Sequence, residues 1–364
     1  ARTTRMEDAE PAKKSVSYFF SEDVGVYASV EAMLLKPHIL KCAKRSAGDY
    51  TSLPPSLRVF HSLSAHTQNH SRSPPPAFFY SRRMTHDLIK SYKLPEQLRM
   101  CQCGTPTSAP AWQPASATDI NRFHTDAYVY FLQQLTHNAV SVIDEVLNHV
   151  LNASVCFTET AWIYSTLYVG ASLAAAEGLV LGDDIAISLM GGQTHARRDC
   201  ASGYSYVNDV VLAILHLLRA PDGSLEDAPA HPPPGGEPVN RRVLFVNLDA
   251  WHSSGVEEAF YTTDRVCCIS LHRYAEGLFP GSGGRADEGM DAGKYHNINL
   301  PVADGLDDDG LALLLKPVIA AAAERYCPHC IVCCAGAGVL SGDRLGCLNV
   351  SLSGYASVLS QLRD

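Results

Sequence analysis

Apolar segments of two kinds alternate along the second half of the chain. Short runs of largely apolar residues, typical of strands buried on both faces, occupy residues 185–190, 243–246, 266–271 and 330–334. Longer segments with apolar residues at helical spacing occupy residues 160–178, 207–218 and 308–326. This alternation predicts an α/β fold with a parallel sheet covered by helices on both faces. In such folds the functional site lies beyond the carboxyl ends of the strands.

Two stretches interrupt this pattern. Residues 39–81 mix Ser, His and Pro with scattered basic residues, and residues 221–241 are rich in Pro and Gly. Such segments have little capacity to pack, so both are interpreted as insertions or linkers. Residues 1–17 are expected to form a flexible N-terminal lead, and residues 18–364 a single domain that contains both insertions.

Composition narrows the class of protein. The 364 residues are 46% hydrophobic and 18% charged, which is typical of a soluble globular protein. No apolar run is expected to reach the length of a membrane span, and no secretory signal is recognised. The 12 cysteines are interpreted as small core residues of a reducing compartment. A Cys327-Pro328-His329-Cys330 segment could suggest zinc or redox chemistry, but it leads into a buried strand, which favours the core interpretation.

The charge is unevenly distributed. Residues 1–100 carry 15 Lys and Arg against 9 Asp and Glu, whereas residues 101–364 carry 14 against 29. The acidic larger part argues against a surface that binds nucleic-acid phosphates. It would tolerate a basic partner such as a lysine-rich tail, although solubility alone also accounts for it.

Several motifs occur along the chain in a fixed order, and three of them, at residues 191–196, 247–260 and 336–346, lie at the ends of predicted strands. They are residues 83–86, 123–128, 191–196, 201–209, 247–266 and 336–346, preceded by Lys36-Pro37-His38. Together they resemble the zinc-dependent class I histone deacetylases over roughly residues 18–362. The resemblance implies a single three-layer α/β domain around a largely parallel sheet of about eight strands, as in arginases.

The resemblance also implies a zinc site, and this sequence departs from it. In the family an Asp, a His two residues later and a second Asp from another strand end hold the metal. Asp249 fills the first position, but Trp251 and Gly338 fill the other two. An indole offers no lone pair to a metal and glycine has no side chain. A one-residue slip that recruits His252 is the one substitute ligand that the sequence offers, and the shell would still be incomplete.

The family's proton-transfer residues are reduced in the same way. Family members carry two adjacent His residues, each oriented by a carboxylate. Thr194 occupies the first His position and Asn247 the position of its carboxylate partner. His195 remains, and we expect it to face Asp209 as a second dyad. This pair could orient a general base, or it could be a buried polar contact without a catalytic role.

Two further family residues are missing. The acidic residue that holds the substrate backbone aligns with Val155, and the tyrosine that polarises the acetyl carbonyl would follow Asp364, where this sequence ends. The C-terminal part of the domain is therefore expected to be missing. Without metal or tyrosine, nothing would stabilise the developing oxyanion.

These losses lead to one hypothesis and one alternative. The hypothesis is a catalytically inactive histone-deacetylase-like protein, a structural or regulatory subunit of a nuclear, chromatin-linked complex that could include an active deacetylase. It expects no cofactor, no direct nucleic-acid binding and no membrane. The alternative is an active zinc-dependent lysine deacetylase with a rearranged metal site.

Overall fold

A computed structural model describes residues 14–21, 77–104, 112–138, 161–203, 205–219 and 241–364 of the chain. The motif at Lys36-Pro37-His38, Val155 and most of the two predicted insertions lie outside the described residues. The described strands are all paired in parallel, and helices lie between most of them. The α/β class predicted from the sequence is confirmed.

The strands form two sheets. The first has three strands, β1 (Val16–Phe20), β2 (Arg99–Gln102) and β3 (Ile185–Ser188), with β1 in the middle. The second has four strands in the order β6-β5-β4-β7. Its strands are β4 (Val243–Leu248), β5 (Val266–Arg273), β6 (Asn297–Val302) and β7 (Cys330–Ala335).

Eight α-helices accompany these strands in the described residues. They are α1 (Ala77–Ser91), α2 (Ala117–Ile120), α3 (Asp126–Asn138), α4 (Ala161–Val180), α5 (Asp209–Leu217), α6 (Ser254–Phe260), α7 (Asp308–Tyr326) and α8 (Leu352–Arg363). Several begin at a side-chain cap, such as the Asp307 carboxylate that accepts from the backbone N–H of Gly310.

The second sheet is covered on both faces, as its uninterrupted apolar strands predict. Val243 and Phe245 on β4 pack in a cluster with helix α5, whereas Leu244 and Val246 pack in a cluster with α7 and α8. Successive side chains of a strand point to opposite faces, so each face receives alternate residues. The result is a three-layer arrangement in which the strand ends share one edge.

The elements predicted from apolar spacing are all present, with small shifts at their ends. Helix α4 extends two residues past the predicted 178, and β5 extends two residues past 271. Strand β1 begins at Val16, inside the stretch assigned to the N-terminal lead, and helix α1 begins at Ala77, inside the first predicted insertion.

Helix α4 corrects the expectation that no apolar run reaches the length of a membrane span. Among the described helices it alone is long and apolar enough to span a bilayer. Most of it, including Tyr164, Tyr168 and Val169, is buried in the cluster around β1 and α3. It is packed as the core helix of a globular domain.

Tyr168 connects this core helix to the segment that leads into α5. Its buried hydroxyl donates to the carbonyl of Val207 at 2.9 Å and accepts from the N–H of the same residue at 2.8 Å. We predict that Tyr168→Phe lowers the free energy of unfolding by about 1–3 kcal/mol, because both backbone groups of Val207 lose a buried partner. Denaturant unfolding measures the change.

The matched control is Tyr130→Phe on α3, where the side chain is 60% exposed. This variant is expected to unfold like the unmodified protein. Equal unfolding free energies for Tyr168→Phe and the unmodified protein would contradict the assigned role of the hydroxyl.

Candidate functional site

The candidate site lies where the predicted motifs meet, beyond the carboxyl ends of three strands. Residues 191–196 follow β3, residues 249–255 follow β4, and residues 336–346 follow β7. Asn208, at the start of α5, holds the first of these segments, and Gly255 joins the second segment to it. The Asn208 amide donates to the carbonyls of Thr194 and Ala196 at 3.2 and 3.0 Å, and the Gly255 N–H also donates to the Thr194 carbonyl.

Asp249 is packed closely against the backbone that follows β7. Its Oδ1 accepts from the N–H of Ala250 at 2.6 Å. A Cβ atom added to Gly338 would lie 2.7 Å from the same oxygen, and one added to Gly336 would overlap the carboxylate. Burial raises the pKa of Asp249 to about 6, and the charge of Asp343 acts in the same direction.

The second predicted ligand position is filled by an aromatic side chain. Trp251 packs against the cluster beneath β4, and its ring meets that of Phe279 edge-on at a centroid distance of 6.4 Å. Its carbonyl accepts from the Asn247 amide at 2.8 Å. The same amide donates to Ser270 Oγ at 3.1 Å, so Asn247 serves a local hydrogen-bond network.

His252, the substitute ligand considered from sequence, has no ring nitrogen available for a metal. Its Nδ1 pairs with Ser282 Oγ at 2.9 Å and its Nε2 with Glu257 Oε2 at 3.1 Å. The side chain is 1% exposed. Glu257 in turn accepts from the amides of Asn297 and Asn299. His252 therefore belongs to a hydrogen-bond network that extends to strand β6, away from the expected metal position.

The donors present therefore do not fit the zinc ion that the family resemblance implies. Asp249 is the remaining carboxylate of the expected set, and no group of three His, Cys, Asp or Glu side chains suited to a metal occurs within the described residues. A structural or catalytic zinc site needs at least three protein ligands.

The predicted His195–Asp209 dyad is wrong. The polar side chain that faces His195 is Ser254, whose Oγ lies 3.5 Å from Nδ1, a long contact. Phe279 packs edge-on against the imidazole at 5.0 Å. Burial and, to a smaller extent, the nearby His252 lower the pKa of His195 to about 4, so the ring is neutral at physiological pH.

Asp209 instead supports the loop that carries the predicted motif. Its carboxylate accepts from the backbone N–H groups of Gly192 and Gln193 at 3.0 and 2.8 Å and from Ser172 Oγ at 2.6 Å. The residue is 1% exposed and stands in the first turn of α5, where a negative charge is favoured. In the described structure these bonds hold the backbone of the loop after β3 in place.

Comparison with known proteins fixes the family. The profile described as "Histone deacetylase domain" matches residues 81–364. The chain belongs to the histone deacetylase family. "Histone deacetylase 1" of Oryza sativa subsp. japonica is 33% identical over 98% of this chain and 55% of its own length. "Histone deacetylase RPD3" of Saccharomyces cerevisiae is 32% identical over 97% of this chain and 65% of its own length.

"Histone deacetylase 1" of Bos taurus is also similar, at 31% identity over 99% of this chain and 60% of its own length. The chain thus spans about half to two thirds of the length of the histone deacetylases it matches. The predicted resemblance to class I enzymes is supported by these relatives.

Sequence reasoning missed Ser254 as the neighbour of His195. The residue follows Asp249 by five positions and begins helix α6, so the turn after β4 brings it back over the strand end. The available signal was that both segments end strands of one parallel layer. Asp209 was expected because the family resemblance implies a carboxylate beside each histidine, but in the structure the Asp209 carboxylate accepts from Ser172, Gly192 and Gln193.

The raised pKa of Asp249 gives a prediction about pH and stability. A carboxyl whose pKa is about 6 when folded and lower when unfolded costs stability as pH rises above the unfolded value, and the full cost is reached above the folded value. We predict that Asp249→Asn raises the free energy of unfolding by about 1–3 kcal/mol at pH 8, because the amide keeps the acceptor oxygen without the buried charge. The difference should shrink below pH 6 and vanish below pH 4. Thermal unfolding across this range measures it.

Asp209→Asn is the matched control, because that carboxylate accepts from three donors. It is expected to destabilise the protein at pH 8. If Asp249→Asn were also destabilising at pH 8, Asp249 would be an ionised residue with a partner, and the assignment would be overturned.

Proposed function

We propose that this histone deacetylase family member is catalytically inactive and serves as a structural or regulatory subunit of a nuclear, chromatin-linked protein complex. The observation that carries the proposal is the lack of ligands at the positions where the family binds its metal. Asp249 is left without companion ligands, and both nitrogens of His252 are engaged elsewhere. Deacetylation by the family's mechanism requires a metal that activates water and polarises the carbonyl.

The proton-transfer residues support the same conclusion. Asn247 and Ser254 stand where a carboxylate would orient a histidine, and neither can stabilise an imidazolium. A neutral His195 next to a hydroxyl at 3.5 Å lacks the strong orienting hydrogen bond that a general base needs. Four positions have thus lost metal binding or proton transfer together: Thr194, Asn247, Trp251 and Gly338.

The nuclear and chromatin-linked part of the proposal rests on the relatives. The proteins it matches are named histone deacetylases, and histones are basic proteins. Residues 101–364 carry more acidic than basic residues, and this negative charge would favour contact with basic proteins. The retained fold, with a buried core, would provide a folded surface on which other subunits can assemble.

Metal content and turnover test the absence of catalysis. Purified protein is expected to contain substoichiometric zinc by mass spectrometry of the metal and to leave an acetyl-lysine peptide unchanged. Trp251→His is expected to gain neither zinc nor turnover, because Gly338 still supplies no donor. Stoichiometric zinc together with turnover that is lost in His195→Ala would establish the rearranged active site instead.

Co-purification tests the proposed role as a subunit. Protein recovered from cell nuclei at moderate salt is expected to elute in a complex, with the same partners identified by mass spectrometry in repeated preparations. A matched sample of Tyr168→Phe, expected to be less stable, shows whether recovery depends on the folded domain. Recovery of the intact, folded protein as a lone monomer would contradict this role.

A further inference from the structure

A group of arginines lies at the end of the second sheet that is opposite to the candidate site. Residues 101–364 carry 14 Lys and Arg against 29 Asp and Glu. Five of these basic residues nevertheless lie together at the amino ends of the strands: Arg219, Arg241, Arg242, Arg265 and Arg325. We call this group the arginine surface. Its positive charge contrasts with the acidic balance of the rest of this part of the chain.

Two of these arginines stand directly before neighbouring strands. Arg242 precedes β4 and Arg265 precedes β5, and the Val243 N–H donates to the Arg265 carbonyl at 3.0 Å. On the other side of β4, the N–H of His329, which precedes β7, donates to the Arg242 carbonyl at 2.8 Å. Neighbouring strands lie about 4.8 Å apart, so the amino ends of β5, β4 and β7 form a narrow row. Arg241 comes one residue before Arg242.

Helices bring the other two arginines to the same end. A helix that connects two parallel strands runs back to the amino end of the next strand, so α5 and α7 both finish here. The Arg265 guanidinium donates at 2.7 Å to the carbonyl of the residue before Arg219. The Arg242 guanidinium lies 5.3 Å from the ring centre of Tyr326, the residue after Arg325. These contacts fix the ends of both helices beside the row of strand ends.

The donors of the arginine surface are incompletely satisfied. Its acidic neighbours in sequence are Asp264 and Glu324, and neither forms an ion pair within the described residues. The Nε atoms of Arg219 and Arg265 are buried and have no hydrogen-bond partner in the same part of the chain. A guanidinium has five N–H donors, and one that is buried without an acceptor costs free energy. The surface therefore lacks the acceptors that a carboxylate would supply.

The one carboxylate that lies near Arg219 is already in use. Asp119 pairs with Arg122 at 3.1 Å and accepts from Ser116 Oγ at 2.6 Å. Burial and then the like charge of Arg219 lower the pKa of Arg122, so the two guanidinium groups are close enough to repel each other. An additional anion beside Arg219 would reduce this repulsion.

We propose that the arginine surface binds a short acidic segment of a partner protein. The planar guanidinium group matches the two oxygens of a carboxylate, so Asp and Glu side chains supply the missing acceptors. The row of strand ends, with a helix end on each side, accommodates an extended segment of about six residues, which spans about 20 Å. The segment is rich in Asp and Glu and poor in Lys and Arg.

The charge of the surrounding chain favours a short segment over a nucleic acid. Acidic residues outnumber basic ones over residues 101–364, so a long polyanion would be repelled wherever it extends beyond the arginine surface. A short acidic segment meets the arginines alone. The proposal deepens the subunit role proposed above, on which it rests, by naming the chemistry of one partner.

Fluorescence anisotropy with the purified protein tests the proposal. The probe is a labelled hexapeptide of Glu and Asp, and a single-stranded oligonucleotide of equal charge is the comparison. We expect the peptide to bind more tightly than the oligonucleotide, and its affinity to fall as NaCl is added, because salt screens exposed charges. The double variant Arg241→Gln with Arg325→Gln is expected to weaken peptide binding about tenfold or more, because two cationic contacts are lost.

Arg198→Gln is the matched control, because this exposed arginine lies in the loop after β3, at the carboxyl ends of the strands. It is expected to leave peptide binding unchanged. Arg325→Gln alone, at an exposed position in the last turn of α7, replaces the double variant should that variant fail to fold, and is expected to weaken binding about threefold.

Four results would overturn the proposal. They are absence of peptide binding, undiminished binding in a folded variant of the arginine surface, an equal loss in Arg198→Gln, and tighter binding of the oligonucleotide. Self-association that the same substitutions abolish, without peptide binding, would assign the surface to a second copy of this chain. Peptide binding is measured on the purified protein, so its failure is distinct from failure of the co-purification that tests the subunit role.

Discussion

The buried carboxylate of Asp209 is the interaction on which the arrangement of this molecule depends. It belongs to the first turn of α5, accepts from Ser172 on α4, and holds the backbone of Gly192 and Gln193 after β3. These contacts join the three-stranded and four-stranded halves at the edge that carries the site. Hydrogen bonds to a buried charge are among the strongest in proteins, and an uncompensated charge here would be costly.

The strands and helices that could be predicted from the sequence are those whose apolar residues recur at regular spacing. Uninterrupted strands such as β4 and β5 and the long helices α4 and α7 are buried enough for periodicity to identify them. Strand β2, with the sequence Arg-Met-Cys-Gln at a sheet edge, has no such pattern, since its side chains are partly exposed. Its strand state depends on pairing with β1, which is remote in sequence.

The side-chain types at the expected ligand positions could be read from the sequence, whereas the partner predicted for His195 was wrong. Which residues can bind zinc is a matter of side-chain chemistry, so Trp251 and Gly338 could be judged from sequence. Which partner faces His195 depends on how the turn after β4 folds back. Ser254 reaches the ring because α6 starts immediately after that turn. The commitment of His252 to Ser282 and Glu257 likewise involves residues distant from the motif.

The close packing of Asp249 against Gly338 has a consequence for substitutions at this site. A Cβ atom added to Gly338 would lie 2.7 Å from Asp249 Oδ1 and 3.2 Å from Ala250 Cβ. A side chain at residue 338 therefore requires the Asp249 carboxylate to turn into another rotamer. Residues 249 and 338 compete for the same space, so the effects of substitutions at these two positions are not expected to add.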